Sequence, residues 1–423
     1  MRVLRGAEAG SPVEAIATVT REVGELFGAT DVSFLIADLS GRALVRLGHD
    51  GPLDPEERRD QRESAVVVPF DGGPEEQAVR TQTVQVLPPA GGATGPGTWR
   101  VLAPVTERGE SIGVLELELP EAPDPDTVRD VGWLAHLLAF ILIANRRHTD
   151  LFEWGRRSQA FSLSAEIQQR LLPESRTCEA SAFTLSGWLE PAASIGGDTF
   201  DYSLARDVLH LSLTDAMGHG VDAALTATVC LGSLRGARRA GRSLREQASA
   251  TNAAVAEHSS KGKDDFVTGL VGRLDLRTGR LELINAGHVA PYLVRGGSTA
   301  AVQLDVNLPF GIFPDTEYSS SWLDLEPGDR LVFVTDGMLE RNVARVDLVG
   351  AIETTLELHP RELVRALADR ALEATGHALS DDATVLCIDW HGRHDLQRTS
   401  SEGADQARAS DPLDQDVSSA QAS

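Results

Sequence analysis

Aspartates recur where β-rich runs begin or end in the second half of this chain, and no other feature limits the possible fold as strongly. The runs at residues 209–214 and 330–335 each lead directly into an aspartate, and two acids precede the run at 383–388. Four places therefore offer carboxylates at strand edges: Asp198, Asp215, Asp336 and the pair Asp381 and Asp382. A single aspartate at such a place is typical of a turn or a cap, so the prediction depends on the whole set.

The chemistry of these carboxylates indicates bound metal ions. Carboxylates that a fold brings together repel one another and raise each other's pKa unless divalent cations lie among them. Oxygen ligands without neighbouring Cys or His pairs favour Mg²⁺ or Mn²⁺ over zinc. Two such ions about 3.5–4 Å apart would hold a bridging water, lower its pKa and bind the oxygens of a phosphoryl group. The set thus predicts two divalent cations, Mn²⁺ or Mg²⁺, and hydrolysis of a phosphoester without a covalent intermediate.

Glycines beside the acids support this interpretation. Gly196, Gly197 and Gly337 would let the backbone approach an ion or a phosphate where a Cβ atom would obstruct it. We therefore expect close backbone contacts around the acids.

The net charge excludes several classes of partner. The chain has 63 Asp and Glu against 39 Lys and Arg, a balance of −24, and a field of that sign repels nucleic acids and anionic membranes. The three cysteines are too few and too scattered for a disulfide framework, so a cytoplasmic location is expected. No secretory signal is visible, and the longest apolar run, at 131–144, is shorter than the ~20 residues of a membrane span.

The length of 423 residues suits two or three domains. Residues 1–122 combine an amphipathic helix at 13–28 with short β-rich runs, which predicts a compact α+β domain of sensor size. Residues 173–390 mix strands and helices in a second domain. The tail at 391–423 is polar and has no aromatic residues, so we expect it to be disordered.

Between these domains, residues 123–172 have a long helical pattern that we interpret as a signalling helix. Polar residues at Asn145 and His148 interrupt its apolar seam. The seam consists of Val131, Leu134, Leu138 and Ile141. It predicts a marginal coiled coil that joins two protomers into a homodimer, and a plain spacer helix is the alternative.

Six motifs follow one another in the second domain: Gly-Gly-Asp-Thr-Phe-Asp at 196–201, Thr-Asp-Ala-Met-Gly-His-Gly-Val-Asp-Ala-Ala-Leu at 214–225, Asn-Ala-Gly-His at 285–288, Leu-Pro-Phe-Gly-Ile at 308–312, Thr-Asp-Gly at 335–337 and Ser-Asp-Asp-Ala-Thr-Val-Leu at 380–386. Together they resemble PPM-type serine/threonine phosphatases, in the SpoIIE and RsbU-like branch that acts in partner-switching control of sigma factors. The resemblance covers residues 165–390 and implies an α-β-β-α sandwich. It also implies that the substrate is a phosphoserine or phosphothreonine on a STAS-type anti-anti-sigma protein.

The resemblance implies a role for each acid. The resemblance implies that Asp215 bridges both ions and that Asp198 and Asp336 each bind one of them. It also implies that Ala216 contributes its backbone carbonyl. The two acids near the end of the domain are Asp381 and Asp382. Asp382 is the position that contacts the bound water or the phosphate. The family's phosphate-binding arginine has no motif-anchored counterpart, since only Arg170 and Arg176 lie near the start of the domain.

Two histidines and a cysteine lie within or near these motifs. His219 is the candidate general acid toward the leaving serine oxygen, with a turn or packing role as the alternative. We expect a structural role for His288. Arg235 follows Cys230 by five positions, one fewer than the phosphate loop of a tyrosine phosphatase requires. We therefore interpret Cys230 as a small core residue.

The first domain also resembles a known family. Residues 103–116, with the helices before and after them, are similar to GAF domains, whose sheets often hold a small ligand. Residues 1–122 contain no Cys and only His49, so covalent tetrapyrrole attachment and cysteine-ligated clusters are not expected. A small-ligand sensor and a ligand-free dimerisation module both fit.

Two further classes of function fit parts of the pattern. A catalytically silent regulator would keep the fold and bind partners, but the retained acids at all four places argue against it. A metal-dependent nucleotidyl cyclase also uses aspartates and two ions, but the ordered motifs fit it poorly.

Overall fold

The computed structural model describes residues 2–47, 65–89, 97–156, 162–191, 196–259, 265–339, 347–376 and 379–392. They form two compact units that divide between residues 160 and 161. The predicted tail lies outside the described residues, apart from residues 391 and 392.

The first unit is built on one antiparallel sheet of six strands. They are β1 (Asp31–Ala37), β2 (Ala43–Leu47), β3 (Ala65–Pro69), β4 (Gln85–Leu87), β5 (Trp99–Glu107) and β6 (Glu110–Leu119). Their order in the sheet is β3-β2-β1-β6-β5-β4. Alternate residues of β1 face opposite sides, because Phe34 and Ile36 belong to one buried cluster and Leu35 to another.

Helices cover both faces of this sheet. They are α1 (Arg2–Ala9), α2 (Ala15–Phe27), α3 (Pro74–Thr81), α4 (Pro125–Asn145) and α5 (Leu151–Gly155). Helices α2 and α4 bury Val19, Val23 and Leu138 against one face, and α3 buries Ala78 and Val79 against the other. Helix α2 matches the predicted helix and is capped by Gly28, whose φ of 64° suits a residue without a Cβ atom.

The helical segment predicted at 123–172 is not one continuous helix, because α4 ends at Asn145. A short 3₁₀ turn follows at Arg146–His148, and the backbone of Thr149 is extended. The seam residues Val131, Leu138 and Ile141 lie in the core of the first unit. The sheet of this unit therefore covers the apolar surface that was predicted to contact a second protomer.

One segment of the described residues, Pro125–His148, is long and apolar enough to cross a membrane by length and composition alone. Core helices of soluble proteins meet the same criterion, and six side chains of α4 are buried.

The second unit contains two sheets. Its strands are β7 (Thr177–Glu179), β8 (Phe183–Glu190), β9 (Thr199–Leu204), β10 (Val208–Ala216), β11 (Val267–Asp275), β12 (Arg280–Ala286), β13 (Tyr292–Arg295), β14 (Ser298–Ala301), β15 (Val306–Asn307), β16 (Ser321–Asp324), β17 (Arg330–Val334) and β18 (Ala383–Trp390). One sheet has the order β14-β13-β17-β18-β8-β7. The other has the order β15-β12-β11-β10-β9, with β16 paired to β12.

The helices of this unit are α6 (Leu163–Leu171), α7 (Gly220–Arg239), α8 (Leu244–Ser259), α9 (Leu348–Glu353) and α10 (Pro360–Ala374). Large side chains such as Leu211, Phe333 and Leu386 form a core between the sheets. Helices α9 and α10 cover the outer face of the sheet that contains β17, and α7 and α8 cover the other sheet. The layers therefore follow in the order helices, sheet, sheet, helices.

Candidate active site

Strand pairing brings the predicted acids of each sheet to one end of that sheet. In one sheet, Thr199 of β9 pairs with Thr214 of β10, so Asp198 and Asp215 are neighbours. In the other, Val334 of β17 pairs with Val385 of β18. The acids that follow β17 and precede β18 therefore lie at the same end: Asp336, Asp381 and Asp382.

Hydrogen bonds between the two sheets join these ends. The Thr335 and Thr384 hydroxyls both donate to Asp198 Oδ2, at 2.7 and 2.6 Å. The Thr384 backbone N–H also donates to the Thr335 hydroxyl, at 2.9 Å. The Asp198 side chain is therefore held in place by residues of the opposite sheet. Sequence reasoning missed both threonines, although each is part of a motif that it singled out.

The electrostatics of the acids reflect their burial and their proximity to one another. Burial raises the pKa of Asp198 well above its usual range, and the charges of Asp215 and Asp382 raise it further. Burial and then the charges of three other aspartates raise the pKa of Asp215 to about 7, although a hydrogen bond with Asp198 opposes this shift. Those three are Asp336, Asp381 and Asp382. All four predicted places therefore contribute to one acidic cluster.

The aspartates of the cluster differ in their exposure to solvent. Asp198 and Asp382 are buried, Asp215 and Asp381 are half-buried, and Asp336 is exposed at the start of a 3₁₀ turn. The cluster is therefore open to solvent at Asp336.

Glycines allow the close backbone approaches that the sequence predicted. A Cβ atom on Gly197 would lie 2.5 Å from the Ala216 carbonyl oxygen, and one on Gly337 would lie 2.0 Å from the Asp382 carbonyl oxygen. The Gly196 backbone N–H donates to Asp382 Oδ2 at 3.1 Å. No larger residue fits at Gly197 or Gly337 without moving a backbone segment of the cluster.

The donors of this cluster fit divalent cations. They are oxygen atoms only, and their mutual repulsion would be removed by positive charge. Within the described ranges no three His, Cys, Asp or Glu side chains are already arranged as a metal site. The assignment of individual ligands, including the Ala216 carbonyl, therefore stays a prediction.

The two histidines of the motifs differ in their surroundings. His219 is exposed and immediately precedes α7, and its role as general acid stays a prediction. His288 is 8% exposed, and burial lowers its pKa to about 4, which keeps it neutral at pH 7. Its Nδ1 atom lies 2.7 Å from the hydroxyl of Thr268, the residue that pairs with Asp215 across β10 and β11. His288 therefore packs behind the cluster, in a structural position.

Asp201 has a different role from Asp198, although the two lie in one motif. Arg235 and Arg238 of α7 donate to its two carboxylate oxygens at 2.8 and 2.9 Å. Asp201 therefore ties α7 to β9. Cys230 is a buried core residue, as predicted, and burial raises the pKa of its thiol to about 12.

The two candidate arginines near the start of the domain are engaged elsewhere. Arg170 pairs with Glu166 on α6, at 3.6 Å. Arg176 donates to Gln169 Oε1 at 2.9 Å and lies over the ring of Trp188.

The raised pKa of Asp215 predicts that, without metal, the second unit loses stability as the pH rises. A carboxyl with a folded-state pKa of about 7 and an ordinary value of 3.8 binds more protons in the folded state between these values. Its contribution to the free energy of unfolding therefore falls from about pH 4 to pH 7 and is constant above. We expect the Tm of the chain in EDTA to fall more over this range than that of Asp215→Asn. Parallel Tm profiles for the two proteins would contradict this.

Bound divalent cations should restore the stability that the second unit loses as the pH rises. Divalent cations bind deprotonated carboxylates, so their affinity rises with pH. We expect Mn²⁺ to raise the Tm more at pH 7.5 than at pH 5.

The second unit is similar to a known family and to known phosphatases. Residues 205–391, less than half of the chain, match the family described as Stage II sporulation protein E (SpoIIE). The chain is 21% identical over 282 residues to phosphoserine phosphatase RsbU of Bacillus subtilis (strain 168), covering 65% of this chain and 83% of that protein. It is 23% identical over 215 residues to phosphoserine phosphatase RsbP of the same organism, covering 48% of this chain and 52% of that one.

Solved structures of this kind are also similar. The RsbU and RsbW domains of a Mycobacterium tuberculosis protein have a TM-score of 0.44 and 24% identity, covering 55% of this chain and 64% of that one. The catalytic domain of the serine/threonine phosphatase PstP with two manganese ions has a TM-score of 0.39 and 16% identity, covering 49% and 98%. The similarity to this family rests on the sequence matches and on the ordered motifs. This chain is therefore a protein phosphatase whose second unit is similar to the SpoIIE family over residues 205–391.

Proposed function

We propose that this chain is a metal-dependent serine/threonine phosphatase that acts on a phosphorylated STAS-type anti-anti-sigma protein. The observation that carries the proposal is the convergence of five aspartates from two sheets on one partly exposed cluster, where burial and then repulsion between carboxylates raise the pKa of Asp215. The names of the relatives RsbU and RsbP, both phosphoserine phosphatases, support the type of reaction.

The residues that would hold two cations are those of the cluster: Asp198, Asp215, Asp336, Asp381, Asp382 and the Ala216 carbonyl. When bound, Mn²⁺ or Mg²⁺ ions activate water and neutralise charge on the phosphoryl group. The chain's own part is to hold the acids in place. Thr335 and Thr384 fix the Asp198 carboxylate, and the glycines allow the backbone to approach.

The leaving serine oxygen needs a proton, and His219 is our candidate donor. It lies four residues after Asp215 and is exposed at the start of α7, where a bound substrate could reach it. The apolar side chains of Met217 and Val221, which flank it in sequence, are 41% and 39% exposed. Exposed apolar side chains beside the acids suit a protein substrate better than a small phosphate ester.

The first unit would act as a GAF-like sensor in the cytoplasm, either with a small ligand or as a ligand-free dimerisation module. Its antiparallel sheet with helices on both faces supports this assignment. Trp133 and Phe140, seven residues apart on α4, are 56% and 49% exposed and form an outer apolar face. This face, rather than the buried seam, supports a homodimer.

The test is phosphate release from a phosphoserine-containing STAS protein by the purified chain. We expect release with Mn²⁺ and none with EDTA. Equal release under both conditions would contradict a metal-dependent reaction. Tight binding of the phosphoprotein with no release under any metal would favour the silent regulator.

A further inference from the structure

Helix α6 places one neutral side chain, that of Gln168, in the acidic cluster. Gln168 is 2% exposed. Its Nε2 atom donates to Asp382 Oδ2 at 2.6 Å and to the Asp198 carbonyl oxygen at 2.9 Å. One amide nitrogen therefore joins the residue before β18 to the residue before β9, and these strands belong to different sheets.

The two donors on Asp382 fix the orientation of its carboxylate. Oδ2 accepts from Gln168 Nε2 and also from the Gly196 backbone N–H, at 3.1 Å. Neither donor carries a charge, so neither would compete with a cation as a Lys or Arg side chain would. Hydrogen bonds of this kind orient metal-ligating side chains and affect metal affinity.

Helix α6 is itself anchored near the cluster. Arg235 of α7 donates to the Leu171 carbonyl oxygen at 2.7 Å, and the same guanidinium pairs with Asp201 of β9. At its other end, the Ser162 hydroxyl caps the helix by accepting from the Ala165 N–H. These contacts fix the place of α6, and with it the place of Gln168 relative to Asp198 and Asp382.

We propose that Gln168 is a positioning residue that orients the Asp382 carboxylate from α6 and so sets the affinity of the cluster for divalent cations. This rests on the proposed function, because it concerns the same metal site. Metal binding and the placement of α6 are then linked, so each must favour the other to the same extent.

The test compares Gln168→Met with Gln169→Met in the full chain. Methionine keeps the length of the side chain and the helix propensity but has no N–H donor. Gln169 is the matched control, because it lies on the same helix and its side chain accepts from Arg176 instead of contacting the cluster. We expect the Kd for Mn²⁺, measured by calorimetry, to rise at least tenfold in Gln168→Met and less than twofold in Gln169→Met.

Two further readouts separate positioning from a loss of folding. Saturating Mn²⁺ should restore the kcat of Gln168→Met to near that of the unmodified chain, since the ligands themselves remain. Mn²⁺ should also slow hydrogen exchange of the α6 amides in the unmodified chain and do so less in Gln168→Met.

The outcomes distinguish this inference from the proposed function. A Kd for Mn²⁺ in Gln168→Met that stays within twofold of the unmodified chain overturns the inference, whatever the activity. A kcat that stays low at saturating Mn²⁺ also overturns it. An unmodified chain that binds Mn²⁺ but releases no phosphate overturns the proposed function, and the two Kd values still decide the role of Gln168.

Discussion

Asp215→Asn is expected to lower kcat at saturating Mn²⁺ by about 10³-fold, equivalent to about 4 kcal/mol of barrier. Asp215 interacts with all the other acids of the cluster, so its carboxylate is central to any cation bound there. Asparagine keeps the shape but removes the charge. The measurement is phosphate release from the phosphoserine protein across a range of Mn²⁺ concentrations.

Without metal, the same substitution should increase the stability of the second unit. Because Asp215 is repelled by its neighbours, removal of its charge should raise the Tm in EDTA at pH 7.5. Loss of activity together with a gain of stability excludes misfolding as the cause. Asp207→Asn is the control, because Asp207 is exposed near the opposite end of β10, and it should leave both quantities unchanged. Full activity in Asp215→Asn would overturn the assignment of the metal site.

Asp389→Ala is expected to destabilise the second unit by about 3–5 kcal/mol. Arg330 and Asp389 are each 4% exposed and form a two-point ion pair at 2.6 and 2.9 Å. The same guanidinium donates to the carbonyl oxygens of Thr355 and Leu358. Removal of the carboxylate would leave the buried guanidinium without its ion pair with Asp389, which costs several kcal/mol.

Urea unfolding followed by tryptophan fluorescence measures this effect. The transition that Mn²⁺ shifts belongs to the phosphatase unit. Asp324→Ala is the matched control, since Asp324 and Arg280 form an exposed pair at 3.8 Å, and it should cost less than about 1 kcal/mol. The double variant Arg330→Met with Asp389→Leu should recover most of the loss. A loss below 1 kcal/mol in Asp389→Ala would contradict this account.

Local patterns determined much of the fold. The β-rich runs of β1, β5 and β6 are local features of the sequence, so these strands could be predicted from a few neighbouring residues. The acids at strand ends were found for the same reason. Antiparallel pairing of adjacent strands then brings them together, as Thr199 and Thr214 do for Asp198 and Asp215.

The course of α4 depended on information that the sequence pattern lacks. An apolar seam specifies that a helix buries one face, but not what covers that face. The sheet of the first unit covers Val131 and Leu138. The apolar surface left exposed, at Trp133 and Phe140, lies on another side of the helix.

The sequence by itself indicated the type of enzyme, because the residue types, the spacing and the order of the six motifs are local properties. Only the tertiary structure decided which polar residues serve the cluster. Asp201 lies in the same motif as Asp198 but pairs with arginines of α7. Gln168, in contrast, binds Asp382 across 214 positions of sequence. Such a contact depends on how two sheets and a helix pack together, and no local periodicity records that packing.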